Sequence, residues 1–117
     1  MNLLVTGASG FIAQSFIKYS LNKNIKISAI SRKKSKLSNK NLRWIVGKFN
    51  EIDLKRVGKF DILIHFASEG TKANERNNLK KNFEVNVFNS KDLILNAIEN
   101  NCKKFMIISS SSEFGEI

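Results

Sequence analysis

Proline is absent from this chain of 117 residues, and it contains one histidine and one cysteine. No segment can therefore be a proline-rich linker, and the lone Cys102 excludes an internal disulfide framework. No apolar run approaches the roughly 20 residues that a membrane helix needs. The N-terminal residues 1–7 also lack the basic flank and apolar core of a secretory signal. These absences predict a cytoplasmic protein without a membrane partner.

Acidic residues are also scarce, since 10 Asp and Glu stand against 20 Lys and Arg and the formal net charge is +10. Such a charge is typical of a phosphate or nucleic-acid partner, but also of a solvated basic surface. The basic residues are scattered apart from one run, 32–36, and few aromatic residues are interleaved with them. Charge alone attracts without sequence preference, so we predict no nucleic-acid partner. We also predict no metal site.

Apolar runs and helical spacings alternate along the chain. The patterns predict strands over 2–6, 25–31, 42–46, 61–66 and 104–109, and helices over 10–22, 50–57 and 79–100. The basic stretch 32–40 is predicted to be a loop or a frayed short helix, and 68–78 is polar. The alternation predicts an α/β fold, a Rossmann-type doubly wound parallel sheet with strand order 3-2-1-4-5. The last crossover and strand of such a sheet are missing, so the sheet is expected to be incomplete at the C-terminus.

The most informative segment is Thr6–Ala13, which reads TGASGFIA and joins the first strand to the first helix. Gly7 permits a tight turn, and Gly10 lets the backbone approach a pyrophosphate. The free N–H groups of the helix N-terminus then point at the anion. Ala13 is small enough for close packing of the helix on the sheet. The alternative is an ordinary glycine turn, but a strand and a helix flank it as a dinucleotide site requires.

Several segments resemble, in the same order, the NAD(P)-dependent epimerase/dehydratase family, the extended short-chain dehydrogenases/reductases that modify sugar nucleotides. The glycine turn resembles the family fingerprint Thr-Gly-x-x-Gly-x-x-Ala/Gly. The segment 61–68 (DILIHFAS) resembles the fourth strand, Asn86-Val87 the Asn-Val helix, and 109–115 (SSSSEFG) the end of the fifth strand. The resemblance covers essentially the whole chain. It implies that residues 1–117 form the N-terminal part of a dinucleotide-binding Rossmann domain and that the substrate domain is absent from this chain.

The resemblance also assigns roles to individual residues. Ser110 matches the active-site Ser or Thr, whose hydroxyl hydrogen-bonds the substrate oxygen, although Ser111 or Ser112 takes this role if the register differs. Asn86 shares a helical face with Phe83 and Ser90 and is expected to point inward, where it braces the sheet under the site; the alternative is an exposed asparagine. The residues implied in cofactor binding are Gly7, Ser9, Gly10, Phe11, Ile12, Arg32, Ala67, Ser68, Asn86 and Ser109.

The end of the second strand bears on the choice of cofactor. NAD-preferring relatives place an acidic residue there, which accepts from the ribose 2′-hydroxyl. This chain has Ser31-Arg32-Lys33-Lys34 and no acid. Arg32 can pair with a 2′-phosphate, so NADP is favoured over NAD. The alternative is a solvated basic loop.

Two further residue types test the enzyme hypothesis. His65, the single histidine, is interpreted as a partly buried strand residue rather than as a catalytic acid or base. The family's Tyr-x-x-x-Lys pair, in which tyrosine acts as the general acid/base, is not matched by Tyr19 and Lys23, which close the first helix. The chain by itself is therefore expected to be inactive.

The function implied by the resemblance is that of an NAD(P)-dependent oxidoreductase-type enzyme acting on a sugar nucleotide. Epimerase, dehydratase and 4-keto reductase all begin with hydride transfer between nicotinamide and sugar, and these three stay open. The alternative is a non-catalytic dinucleotide-binding or sensor protein of the same fold. A homodimer of the full-length protein is a further expectation.

Overall fold

A computed structural model of the chain describes residues 1–68 and 78–109. Strands and helices alternate along it as the sequence predicts. The strands are β1 (Asn2–Thr6), β2 (Lys26–Ser31), β3 (Leu42–Val46), β4 (Ile62–His65) and β5 (Lys104–Ile107). The helices are α1 (Phe11–Leu21), α2 (Leu54–Val57), α3 (Leu79–Phe83) and α4 (Ser90–Glu99), and a π-helical turn, Glu84–Asn89, joins the last two. We call Glu84–Asn89 the π segment.

The five strands form one parallel sheet in the order β3-β2-β1-β4-β5, which confirms the predicted topology. Thr6 lies beside Ile30 on one side and His65 on the other. His65 in turn lies beside Ile107. The carboxyl ends of all these strands therefore meet at one edge of the sheet, where ligands bind in open α/β sheets.

The alternating side chains of β1 place apolar groups on both faces of the sheet. Leu3 and Val5 pack with Ile17 and Leu21 of α1, whereas Leu4 packs with α2 and α4 on the opposite face. Each fully buried Leu or Ile contributes roughly 1.5–3 kcal/mol of transfer free energy. The sheet is thus covered on both faces around β1. By contrast, every residue of the edge strand β5 is exposed.

The predicted helix 79–100 is confirmed in extent but differs in its internal geometry. Asn78 caps it, since its side chain accepts a hydrogen bond from the Lys81 N–H at 3.2 Å. The π segment follows α3, with i→i+5 hydrogen bonds and more residues per turn. Spacings of three and four then no longer keep residues on one face. The expectation that Asn86 points inward with Phe83 and Ser90 is therefore wrong: Asn86 and Phe83 are exposed, and Ser90 is buried.

Other boundaries shift by a few residues. The helix predicted over 50–57 begins only at Leu54, because the Asp53 side chain accepts from the Lys55 N–H at 3.1 Å and caps it. The stretch 32–40 is a loop and not a helix. Trp44 holds this loop against β3, since its indole N–H donates to the Leu37 carbonyl at 2.9 Å.

Candidate cofactor site

The turn between β1 and α1 is tight and rests directly on the end of β4. Gly7 adopts a left-handed φ of +63°, and the Gly10 N–H donates to the Gly7 carbonyl at 3.0 Å. A Cβ on Gly7 would lie 2.6 Å from the backbone nitrogen of Ala67, closer than any side chain tolerates. The Ala8 N–H donates to the Ile30 carbonyl of β2 at 3.2 Å, which holds the turn from the other side.

The N-terminus of α1 opens from this turn towards solvent. Its first helical hydrogen bond runs from the Gln14 N–H to the Gly10 carbonyl at 2.9 Å, and the N-cap residue Gly10 has no side chain with which to cap the helix. The N–H groups of the first turn after Gly10 therefore have no intrahelical acceptor. No acidic residue lies in that turn, and Phe11 and Ile12 are 89% and 65% exposed. Donors without an intrahelical acceptor, the helix dipole and an open approach make this helix N-terminus a candidate anion-binding site.

The end of β2 lies against the glycine turn. The buried Ser31 hydroxyl donates to the Ser9 hydroxyl at 2.8 Å and accepts from the Lys33 N–H at 3.2 Å. The Gln14 side chain adds a hydrogen bond to the Ser9 carbonyl at 2.9 Å. These bonds position Ser9 and the start of the basic loop beside each other. Arg32, the residue after Ser31, is exposed.

A buried chain of hydrogen bonds lies directly beneath the turn. The Thr6 hydroxyl is 2.5 Å from Nδ1 of His65, and Nε2 of His65 is 2.7 Å from the Ser90 hydroxyl. The Ser90 hydroxyl donates to the Val85 carbonyl at 3.1 Å, and the Ala67 N–H donates to the Thr6 hydroxyl at 3.5 Å. Thr6 is fully buried and His65 is 3% exposed. The chain thus links β1, β4 and the long helix.

The partners of these bonds favour one tautomer of the imidazole. The Val85 carbonyl can only accept, so with the Ser90 proton on Val85 the Ser90 oxygen accepts from Nε2–H of His65. Nδ1 is then an acceptor for the Thr6 hydroxyl proton. Every group is satisfied once by the neutral Nε2–H tautomer. Burial lowers the pKa of His65 from 6.5 to about 4, in agreement with a neutral ring. The interpretation of His65 as a strand residue is confirmed, and the residue is buried more deeply than expected.

The other residues expected in the site are distributed as follows. Ala67 and Ser68 follow β4 beside Gly7, and Ser68 is exposed. Ser109 lies two residues beyond β5, after Ile108, whose N–H donates to the His65 carbonyl at 3.2 Å. Asn86 lies exposed in the π segment. Ser110, Ser111 and Ser112 fall outside the described residues.

Tyr19 and Lys23 lie where α1 ends, and α1 runs from the carboxyl edge of the sheet back to the amino edge. Tyr19 is 65% exposed, and the Lys23 ammonium lies 5.6 Å from the centre of its ring. This pair is remote from the glycine turn, so it offers no proton there. A recess of about 250 Å³ also lies at the amino edge, with Lys26, Lys40 and Lys59 among its lining residues. It contains none of the residues predicted for the cofactor.

The described ranges 1–68 and 78–109 lack both a cluster of metal ligands and a membrane-spanning helix. They contain no group of three or more His, Cys, Asp or Glu side chains with the arrangement of a metal site. Within the same ranges, no helix has the length and apolar character required to cross a bilayer.

The sequence reasoning identified the turn but missed the hydrogen-bond chain beneath it. The signal was a polar residue at a position where the pattern expects an apolar one. Thr6 ends the apolar strand β1, His65 ends β4, and Ser90 lies on the inner face of the long helix. Ser31 was missed in the same way, at the buried end of β2.

The glycine turn, the helix N-terminus and the parallel sheet define a dinucleotide-binding type of α/β domain. A family model described as "NAD dependent epimerase/dehydratase family" matches residues 3–117. The chain therefore belongs to this family.

Known proteins of similar sequence include UDP-glucose 4-epimerase from Pisum sativum, with 29% identity over 97% of this chain and 38% of the relative. The low-salt glycan biosynthesis protein Agl12 from Haloferax volcanii is 26% identical over all of this chain and 42% of its own length. The chain thus spans about two-fifths of the length of these curated relatives.

Solved structures share the fold. MoeE5 in complex with UDP-glucose and NAD superposes with a TM-score of 0.88 at 24% identity, covering all of this chain and 39% of that one. UDP-glucose 4-epimerase from Bifidobacterium longum, in complex with NAD+ and UDP, gives a TM-score of 0.82 at 21% identity. It covers 98% of this chain and 38% of the other. These likenesses confirm the Rossmann-type sheet.

Proposed function

We propose that this chain supplies the dinucleotide-binding site of an NAD(P)-dependent enzyme that acts on a sugar nucleotide. It corresponds to the N-terminal part of the dinucleotide-binding domain, and the substrate domain lies in another part of the protein. The reaction is of the epimerase, dehydratase or 4-keto reductase type. When bound, the nicotinamide supplies hydride acceptance from, or donation to, a sugar carbon.

The observation that carries the proposal is the anion site formed by Gly7, Gly10 and the first turn of α1. Gly7 makes the turn tight, the backbone at Gly10 can approach a pyrophosphate because it has no Cβ, and the N–H groups of the first helical turn supply donors. The exposed side chains of Phe11 and Ile12 offer apolar surface that a bound dinucleotide would cover. The family membership and the UDP-sugar epimerases among the relatives support the substrate class.

Cofactor preference rests on the end of β2. Arg32 follows Ser31, which is hydrogen-bonded to Ser9 of the glycine turn. A guanidinium at this position is suited to a 2′-phosphate, and no carboxylate is present in 31–36 to accept from a 2′-hydroxyl. We therefore propose that NADP is slightly favoured, although the solved neighbours contain NAD.

The direct test is titration of the intact protein with NAD+, NADP+, NADH and NADPH, followed by incubation with UDP-glucose. Saturable binding and conversion of the sugar nucleotide, separated by anion-exchange chromatography, are the expected results. Binding without any conversion of a panel of sugar nucleotides would favour the non-catalytic sensor instead. Absence of dinucleotide binding would contradict both.

We also propose that the intact protein is a homodimer. The outer surface of the long helix exposes large apolar side chains, and the rings of Phe83 and Phe88 pack edge to face at 5.6 Å. Sedimentation equilibrium should give twice the monomer mass, and Phe83→Lys should shift the population towards monomer. A monomer at all concentrations would contradict this proposal.

A further inference from the structure

His65 is connected to the proposed dinucleotide site without being part of it. Its side chain is 3% exposed, beneath the glycine turn, so it has no access to a ligand at the surface. Its two ring nitrogens contact two different elements, Thr6 of β1 through Nδ1 and Ser90 of α4 through Nε2. An edge-to-face contact with Phe49, at 4.8 Å between ring centres, limits rotation of the imidazole.

On the side of the glycine turn, the contact between the Thr6 hydroxyl and Nδ1 of His65 determines where Gly7 lies. Thr6 is fully buried, and its hydroxyl binds His65 and accepts from the Ala67 N–H. The next residue, Gly7, packs so closely on Ala67 that a Cβ has no space. A change of a few tenths of an ångström in the Thr6–His65 distance would therefore move the turn relative to the end of β4.

On the side of the helix, the contact between Nε2 of His65 and the Ser90 hydroxyl is the first point along the helix at which a buried residue is attached to the sheet. Among the described residues, Leu79–Asn89 contains no buried residue, and the first buried position is Ser90. The Ser90 hydroxyl accepts from His65 and donates to the Val85 carbonyl inside the π segment. Asn86 follows Val85 directly. The imidazole thereby connects the sheet to the irregular turn that carries Asn86.

From these contacts we infer that His65 is a positioning residue for the dinucleotide site, holding the glycine turn and the π segment in one register through its neutral Nε2–H tautomer. The inference rests on the proposed function for its ligand. The two halves of the contact are separable, because each nitrogen serves one element. Loss of the Nδ1 contact affects the turn, and loss of the Nε2 contact affects the helix.

The experiment replaces one nitrogen at a time in the intact protein. The amide of His65→Asn ends near the position of Nδ1 and can accept from Thr6, whereas the amide of His65→Gln ends near Nε2 and can donate to Ser90. The readouts are NADH and NADPH affinity and the amide hydrogen exchange of residues 84–90. Val57→Ala is the matched control, since it removes buried apolar contacts on α2, away from the glycine turn.

His65→Gln should weaken dinucleotide affinity by about tenfold, the effect of losing one hydrogen bond of ordinary strength, and leave exchange in the π segment unchanged. His65→Asn should give the opposite pattern, with near wild-type affinity and faster exchange. If His65→Gln does not fold, Thr6→Val removes the same hydroxyl contact with a side chain of equal shape and should weaken affinity similarly.

Equal affinities for wild type, His65→Gln and Thr6→Val would overturn the inference. So would an affinity loss in Val57→Ala that matches the loss in His65→Gln, because general destabilisation would then explain both. If the wild-type protein binds no dinucleotide, the proposed function fails instead. In that case, the exchange measurement alone tests the role of His65 in positioning the π segment. If the amide hydrogen exchange of residues 84–90 is the same in His65→Asn as in wild type, that role is overturned.

Discussion

The backbone nitrogen of Ala67 lies only 2.6 Å from the ideal position of a Cβ on residue 7, too close for any side chain there. Glycine is thus required at residue 7 by contact with a neighbouring strand as well as by its left-handed φ of +63°. This relationship brings two segments that are 60 residues apart into one surface, with the anion site on one side and the end of β4 on the other.

Gly7→Ala should therefore affect both folding and binding. The left-handed conformation costs an L-residue roughly 1–2 kcal/mol, and relief of the clash requires the turn to move away from Ala67. We expect a lower free energy of unfolding in urea and loss of measurable NADH binding by fluorescence.

Gly58→Ala is the matched control for Gly7→Ala. Gly58 also has a positive φ, +86°, but a Cβ there meets no atom within 4 Å. This variant should be destabilised by backbone strain alone, roughly 1–3 kcal/mol, and should keep its dinucleotide affinity. Equal losses of affinity in both variants would refute the assigned contact.

Arg32→Asp should reverse the preference between NADPH and NADH. The carboxylate repels a 2′-phosphate and can accept from a 2′-hydroxyl, so the Kd for NADPH should rise while that for NADH falls. Lys40→Asp changes the net charge equally at the opposite edge of the sheet. An unchanged preference in Arg32→Asp, or an equal shift in Lys40→Asp, would contradict the role of Arg32.

Ser31→Ala should loosen the junction between the basic loop and the glycine turn. The substitution removes the donor to Ser9 and the acceptor of the Lys33 N–H. A loss of about 1 kcal/mol in unfolding free energy is expected from hydrogen bonds of this kind, together with weaker NADPH binding. Ser15→Ala on the exposed side of α1 is the control and should change neither quantity. Similar binding in both variants would count against the loop's contribution.

The stability of the protein should fall as the pH drops from about 6.5 to about 4. Because burial lowers the pKa of His65 from 6.5 to about 4, the unfolded chain takes up a proton in this range before the folded one does. The contribution of His65 to the free energy of unfolding is therefore fully present above pH 6.5. It declines below that pH, by about 3 kcal/mol in total at 1.36 kcal/mol per pKa unit.

Urea unfolding of wild type and His65→Gln at several pH values measures this contribution. The difference between the two proteins isolates the histidine from the carboxylates that titrate at the acid end of the range. The difference should shrink as the pH falls. A difference that does not change with pH would show that the pKa of His65 is the same in the folded and unfolded states.

Most of the fold was predictable from the sequence because its signals are local. The apolar runs of β1 and β4, and the spacing of Ile17 and Leu21 in α1, depend only on neighbours along the chain. Gly7 and Gly10 likewise marked the anion site, since a strand, a glycine turn and a helix in succession have one common arrangement. The predicted strand order is confirmed because right-handed crossovers leave few alternatives.

The helix around Asn86 was not predictable in the same way. A spacing of three and four assumes a uniform α-helix, and the π segment breaks that uniformity. The Ser90 hydroxyl, at the start of α4, donates to the Val85 carbonyl of this segment. The exposure of Asn86 follows from this change of pitch. No spacing in the sequence distinguishes a π turn from an α turn.

The sequence by itself therefore determined the order of elements, the glycine turn and the basic loop after β2. Only in the folded chain do Thr6, His65 and Ser90 form one buried chain of hydrogen bonds, and only there does the Ser31 hydroxyl reach Ser9. The physical reason is that a buried polar side chain must find a partner, and these partners are 22 to 59 residues away along the chain. Only the pairing of parallel strands brings them within hydrogen-bonding distance.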